Sequence, residues 1–431
     1  MNVATNSQLR RLKYVATIND EALGDDTDPD FEMQYVDIGN LDSYGRIHEL
    51  ATYRFEDAPS RARRRVRDGD VIISTVRTYL QAIAHIQIAP ANLIVSTGFA
   101  VVRPRYVVFD PDFCKYALRE PAFLAEVEKR SIGVSYPAIN ASELGDIPVH
   151  LPPLSHQRAI ADYLDRETAR LDVLVAVKER LLGLLAEKRR ATITHAVTHG
   201  LDARAALRDS CVPWLGEIPA HWETCRVAWL FRERDERGEP DLPLLQVSIN
   251  AGVVLREFSE ERIESTAADF NTYKVARRGD IVFNKMRMWQ GAVGVAPEDG
   301  LVSPDYVIAA PTGSLLSEYA GLLFRTSTFS AECARRSHGI VWDRLRLYWE
   351  GFRDIEVPVP SPQEQEGIVA HIASETAKLD ALSAVTDHTI ALLKESRAAV
   401  IAAAVTGGMD FSNTVCGNGI QQAKGIMREW D

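Results

Sequence analysis

One segment of this chain is present twice, which forces two equivalent halves on any fold it adopts. The first copy runs without a gap from Leu144 to Asp202 and the second from Phe352 to Asp410, 208 residues later by subtraction of Asp146 from Asp354. Asp146, Ile147, Val149, Pro152, Gln157 and Ile160 return as Asp354, Ile355, Val357, Pro360, Gln365 and Ile368. Glu167-Thr168-Ala169 returns as Glu375-Thr376-Ala377, Leu171-Asp172 as Leu379-Asp380, and Glu187, Arg189, Val197-Thr198, Gly200 and Asp202 as Glu395, Arg397, Val405-Thr406, Gly408 and Asp410.

Each copy opens on a short extended run ending in prolines, IPVHLPPLS and IEVPVPSPQ, because proline keeps the residue before it out of helix. A long helix follows. Ile160, Leu164, Leu171, Leu174, Leu181 and Leu185, and in the same register Ile368, Ile372, Leu379, Leu382 and Leu393, are spaced as the narrow apolar seam of a coiled coil. Gly200 and Gly408 supply the residue that ends a helix in the left-handed conformation. From His156 to Val197 such a helix spans roughly 60 Å, more than an ordinary domain needs, so it reads as a spacer.

The repeats separate two longer segments, 1–143 and 212–351, which are themselves faintly related. Asp68-Gly69-Asp70 leads Val71-Ile72-Ile73 toward Arg77, and Arg278-Gly279-Asp280 leads Ile281-Val282-Phe283 toward Arg287: a glycine turn feeds a buried strand with a basic residue just past its end. Ser96–Pro104 is similar to Ser303–Pro311, and Ser131-Ile132-Gly133 to Ser337-His338-Gly339. The predicted order is a globular α+β domain (1–143), a proline-led long helix (144–202), a linker (203–211), a second globular α+β domain (212–351), a second proline-led long helix (352–410) and a polar tail (411–431). Two related domains on a two-helix spacer with approximate twofold symmetry present two surfaces at a fixed separation, which suits a bipartite ligand such as successive faces of duplex DNA.

The Pro-Pro-Leu-Ser-His-Gln motif from Pro152 to Gln157, its Pro-Ser-Pro-Gln-Glu-Gln counterpart from Pro360 to Gln365, and Trp214-Leu215-Gly216-Glu217-Ile218-Pro219 with His221-Trp222 resemble the DNA specificity subunit of type I restriction–modification systems. The resemblance covers nearly the whole chain, although the first globular segment lacks a counterpart of the Trp-Leu-Gly-Glu-Ile-Pro opening. It implies two target-recognition domains, each reading one half of a split DNA sequence, and two long helices that pair as an antiparallel coiled coil and set the gap between the half-sites. It also implies a noncatalytic subunit without cofactor of its own. Two methyltransferase subunits carrying S-adenosylmethionine would dock on the long helices, and restriction (motor-nuclease) subunits using ATP and Mg would join the full complex.

The residues agree with a chain whose chemistry lies elsewhere, since no phosphate-binding GxxxxGK[ST], GxGxxG, HExxH or GxSxG occurs. The Asn-Pro-Pro-Tyr and Asp-Pro-Pro-Tyr sequences of amino-methyltransferases are also lacking. The five cysteines are never spaced as CxxC, which points to neither disulfides nor zinc, and His195 and His199 stand alone at a helix end. No apolar run is long enough for a membrane span and the first residues lack a signal-peptide core, so a cytoplasmic protein is expected. Other readings are the recognition part of a fused or orphan DNA methyltransferase system, or a coiled-coil scaffold whose domains bind protein.

A net charge of −11 disfavours general DNA binding, so contacts must be local. The densest basic run holds Arg61, Arg63, Arg64 and Arg65 together with Arg67. Alone it would read as a solvated face, but Ser74, Thr75, Arg77, Thr78 and Tyr79 follow it with the donors that phosphates and base edges require. After the matching strand of the second domain come Asn284, Lys285, Arg287 and Gln290, suited to guanine and adenine edges, while Met286 and Met288 alternate as core residues would. A third pair of loops, Ser131–Asn140 and Ser337–Arg346, offers Tyr136, Asn140, His338, Trp342 and Arg344, with a plain connection between helices as the competing reading. The basic residues of the long helices, Lys178, Arg180, Lys188, Arg189 and Arg190, read as partner-docking or solvated charges.

Overall fold

The computed structural model describes residues 7–42, 44–256, 270–339 and 345–411. Two units account for the chain: residues 1–179 with 388–431, and residues 180–387. The divisions fall inside the two long helices, Leu154–His199 and Pro362–Val405, so each unit owns one globular domain, the first part of one helix and the last part of the other.

Both units are built on the same four-stranded antiparallel sheet. In the first, the spatial order is Ala16–Ile18, Phe99–Pro104, Val71–Ser74, Ile83–His85; in the second it is Phe231–Arg234, Tyr306–Pro311, Ile281–Asn284, Val293–Val295. The central strands Val71–Ser74 and Ile281–Asn284 have both faces covered, which explains why they read as unbroken apolar runs. Gly69 and Gly279 turn the chain into these strands at φ values of 83° and 88°, where a side chain would be strained. The aspartate after each glycine is buried and bonded to an arginine of the same sheet, from the adjacent strand in the first unit and from the edge strand in the second. Asp70 receives Arg103 Nε and Nη2, both at 2.9 Å, and Asp280 receives Arg234 Nε at 2.8 Å. Hydrogen bonding to Asp70 raises the Arg103 pKa above its ordinary value.

The lead-in strands pair equivalently as well, Gln8–Arg11 with Pro148–Leu151 and Glu223–Arg226 with Glu356–Val359. The first domain therefore matches the second from Gln8 onward despite its missing Trp-Leu-Gly-Glu-Ile-Pro segment. That segment supplies Glu217–Pro219, which pairs with Leu207–Asp209. Residues 203–211 are thus partly a strand rather than a linker. The tail expected from residue 411 begins with Phe411 packed edge-on against Tyr163; residues 412–431 lie outside the described ones.

The long helices enter the cores of the domains. Ile160, Leu164, Ile401 and Val405 pack in the first unit with Phe109, Phe113 and Tyr116. Ala196, Val197, Ile368 and Ile372 pack in the second with Phe283, Phe324, Phe329 and Phe352. Truncating one of those phenylalanines to alanine costs about 3–5 kcal/mol. The repeated glutamines lock each domain to its helix. Buried Gln157 accepts from Asp110 N and donates to Val108 O and Pro152 O; buried Gln365 accepts from Leu316 N and donates to Ser314 O and Pro360 O.

Within each unit the helix segments run antiparallel, as expected. In the first, Asp172 pairs with Arg397 at 2.9 Å and Glu179 with Lys394 at 3.6 Å; in the second, Arg189 pairs with Asp380. The ion pair is itself repeated with the partners exchanged between helices. The seam departs from the expected one. Val175 is buried, while Leu174 and Leu382 are 39% and 46% exposed, because buried Thr168 and Thr386 occupy seam positions that an apolar pattern passes over. Among the described residues no helix is long and apolar enough to cross a membrane.

Candidate nucleic-acid interface

In each unit two loops meet at the end of the central strand. In the first, Arg77 opens a tight turn at Thr78–Leu80 and its N–H bonds Pro137 O at 2.8 Å, while Ile139 N bonds Thr75 O at 3.0 Å. Ile132 and Ala138 bridge the second loop to itself, and Val76 bridges to Ala138. The two loops, Thr75–Gln81 and Ser131–Asn140, are therefore one surface. On it the Arg77 guanidinium stacks over the Tyr136 ring, 4.7 Å from its centroid, and Tyr79 and Tyr136 are exposed. Arg77 and Gln81 bracket the turn in the left-handed region, at φ 53° and 49°. Each costs on the order of 1 kcal/mol for a residue other than glycine.

The second unit repeats this arrangement with different side chains. Arg287 opens the turn Met288–Gln290, and Gly291 closes it at φ 83°. Leu347 N bonds Lys285 O at 2.9 Å, and Lys285 Nζ lies 5.9 Å from the Tyr348 ring centroid. His338 and Arg346 bridge the neighbouring loop at 2.9 Å in both directions. The helices that deliver these loops, Pro121–Arg130 and Ser327–Arg336, end alike. Ser131 and Ser337 each return a hydroxyl hydrogen bond of 2.7 Å to the carbonyl four residues back. Arg287, Gln290 and His338 are exposed; Trp342 and Arg344 lie outside the described residues.

Several of the expected contact residues have partners within the protein, and the buried ones among them are corrected. Thr78 is buried, with its hydroxyl 2.8 Å from that of Ser131, so it holds the loops together rather than facing a ligand. Ser74 and Thr75 are also buried, spending their hydroxyls on Val76 O and Gly98 O. Asn140 caps the helix Ala141–Gly145 by accepting from Glu143 N, and Asn284 Oδ1 accepts from Met286 N at 2.9 Å. Met286 is exposed and only Met288 is in the core.

The basic run is not a free ribbon either. Ala62–Arg65 is an edge strand of a second sheet, ordered Ala51–Arg54, Glu32–Val36, Leu93–Ser96, Ala62–Arg65, so its arginines alternate in direction. Arg63 and Arg65 stack on Phe55 and Phe31, at 4.7 and 5.5 Å. Arg64 bridges to Ala22 and keeps a buried Nη1 without a hydrogen-bond partner among the described residues; burial lowers its pKa. Arg61 is exposed and Arg67 is paired with Glu21. The arginines on Phe55 and Phe31 and the Arg77–Tyr136 pair combine cation and aromatic face as a nucleic-acid surface would.

Residues 56–181, which span this strand, both loops of the first unit and the start of the first long helix, match the family model described as type I restriction modification DNA specificity domain. That stretch is similar to a type I specificity domain. Across a longer stretch it is 22% identical over 334 residues to the type I restriction enzyme EcoDI specificity subunit of Escherichia coli, covering 71% of each chain. It is also 22% identical over 329 residues to the EcoKI specificity subunit of Escherichia coli K12, covering 71% of this chain and 67% of that one.

Solved structures agree at the level of fold. A chain from a study of complex assembly and conformational transition of the type I R-M system superposes with a TM-score of 0.68 at 23% identity, covering 94% of this chain and 98% of that one. The HsdS subunit of Thermoanaerobacter tengcongensis gives 0.51 at 22% identity, covering 95% and 98%. The resemblance carried by the Pro-Pro-Leu-Ser-His-Gln and Trp-Leu-Gly-Glu-Ile-Pro motifs is borne out, as is the α+β class with two long helices.

Sequence reasoning missed the residues that hold each globular domain in shape. Gln157 and Gln365 were visible as identities of the repeat, and Asp70 and Asp280 as the acid after each turn glycine. Their partners, Arg103 and Arg234, come from non-equivalent strands, so no spacing announces them.

Proposed function

We propose that the chain is the sequence-specific DNA-recognition subunit of a type I restriction–modification complex, with each unit reading one half of a bipartite target. The observation that carries this reading is the loop pair built twice on equivalent strands, Arg77 with Tyr136 and Lys285–Gln290 with Tyr348. The scaffold is kept and the presented side chains differ, which suits two half-sites of different sequence. The chain is noncatalytic in this reading. S-adenosylmethionine belongs to methyltransferase subunits, and ATP and Mg to restriction subunits.

Support for two docked copies of one partner comes from the leucines excluded from the seam. The first unit exposes Leu174, Val177 and Leu392, and the second exposes their repeat equivalents Leu382, Val385 and Leu184, all between 39% and 63%. Each unit thus offers one apolar patch on its helix pair, and two equal patches suit two methyltransferase subunits. Methylation mapping in cells with and without this chain tests the reading. A split methylated motif that disappears with the chain is expected, and identical methylation in both strains would refute it.

A further inference from the structure

A cleft of about 460 Å³ in the first unit is lined by Arg119, Gln81 and Glu128 on the domain side and by Lys394 and Arg397 on the second long helix. Arg119 is a cation without a carboxylate partner among the described residues. Its Nη2 donates to Ile83 O and its Nε is buried with no acceptor. Burial, with Arg397 beside it, pushes its pKa down to about 10. Arg397 is stacked over Tyr44 and answered by Asp172, and Lys394 reaches Glu179 only at 3.6 Å.

The second unit repeats the charges and gives its arginine different partners. Arg325 stands where Arg119 does, after the first of the two short helices, and feels Arg189, the repeat equivalent of Arg397, which pairs with Asp380. There the guanidinium is satisfied by two loop carbonyls, Ile249 O and Asn250 O. Two like-charged guanidiniums are therefore held together in both halves, and in the first unit the domain arginine has a buried Nε short of an acceptor among the described residues, beside the cleft. Asp172 and Asp42 act on Arg119 only at longer range, and a buried guanidinium donor without an acceptor is costly unless a ligand supplies one.

We propose that this cleft is a phosphate site, in which Arg119, with Lys394 and Arg397, holds a backbone phosphate of the bound duplex beside the half-site read by the first unit. Gln81 closes the recognition turn and Glu128 lies on the helix that delivers the second loop, which puts the cleft next to the recognition loops. Arginine's fixed fork of donors matches a phosphate. The assignment rests on the DNA-recognition reading, and the test separates the two.

Full-length wild type, Arg119→Gln and Lys394→Gln are melted in inorganic phosphate and in chloride at equal ionic strength. The same chains, assembled with their methyltransferase subunits, are titrated with cognate and unrelated duplexes across a salt series. Lys394 is half exposed, so its variant keeps the fold if the Arg119 variant does not. Phosphate should stabilise the wild type and lose that effect in both variants. Each variant should weaken cognate and unrelated DNA alike, and the slope of log K against log salt should fall by about 0.9 for the lost contact, with the recognised sequence unchanged. Phosphate stabilisation with unaltered salt slopes would sink the DNA assignment. No phosphate effect and no slope change would overturn the site altogether. A wild-type complex with no sequence preference would remove the recognition reading, while the phosphate melts still decide the cleft.

Discussion

Arg77 is held in a left-handed conformation, exposed and stacked on Tyr136, on a surface where Ser74, Thr75, Thr78 and Ser131 spend their hydroxyls within the protein. Strain of this kind persists only where the surroundings over-determine it, and here Pro137 O and Thr75 O pin the loops. Arg77→Ala should keep the melting temperature and weaken binding. A loss of ~1–3 kcal/mol confined to one base position marks a guanine contact, whereas uniform weakening with a flatter salt dependence marks a phosphate. Single-base variants at two salt concentrations separate these outcomes, and unchanged affinity would make Arg77 a solvated strand-end charge. Arg287, the same eight residues beyond its glycine, is open to the same measurement.

A second residue-scale prediction concerns Glu364, at the start of the second helix, where the first copy of the repeat has His156. Burial alone would raise its pKa, but hydrogen bonds from His221, Ser361 and Trp222 hold it down to about 2 from 4.5. A depressed carboxylate contributes stability that is complete above its unfolded pKa and lost as pH falls through the folded value. Glu364→Gln should therefore melt lower than wild type at pH 7, with the gap narrowing below pH 4.5 and closing near pH 2. A gap independent of pH would mean that the charge is irrelevant. Residue roles were the least legible part of the sequence: Thr78 and Arg77 are neighbours of similar promise, yet one is buried against Ser131 and the other exposed, and only the backbone turn decides which.

At the scale of the element, the proline-led strands and long helices were readable because a repeat constrains every position twice. The seam was misread at Leu174 and Leu382 for a physical reason. Thr168 and Thr386 return their hydroxyls to the carbonyls four residues back, Leu164 O and Leu382 O, so a polar residue enters the seam with its donor already satisfied. The displaced leucines then face outward. Substituting Leu174 and Val177 by aspartate should leave the melting temperature of the chain intact and weaken docking on that unit. At about 1.5 kcal/mol for each apolar side chain lost from an interface, the pair should cost roughly 100-fold in affinity. Mass photometry with the methyltransferase subunit should find one copy bound instead of two, and the reverse single occupancy with Leu382 and Val385 replaced. Two copies bound to either variant would move docking off these patches.

For the whole molecule, the division of the chain inside Leu154–His199 and Pro362–Val405 explains why segment order along the sequence misleads. The linker predicted at 203–211 separates segments that share one unit, while each continuous helix serves both. Each domain is bound to its own stretch of helix through Gln157 or Gln365 and through a core that includes Ile160, Leu164, Ile401 and Val405, or Ala196, Val197, Ile368 and Ile372. The repeat keeps these helix residues similar in both units, so a foreign domain that carries the matching carbonyls and apolar face should seat on them. Exchanging residues 1–143 for the corresponding domain of a relative should then yield a folded chain whose methylated motif changes in one half only, with the other half and the gap as before. If both halves changed, the units would not read independently. If the gap changed with the half-sites intact, the helices would not be what sets it, since their residues are untouched by the exchange.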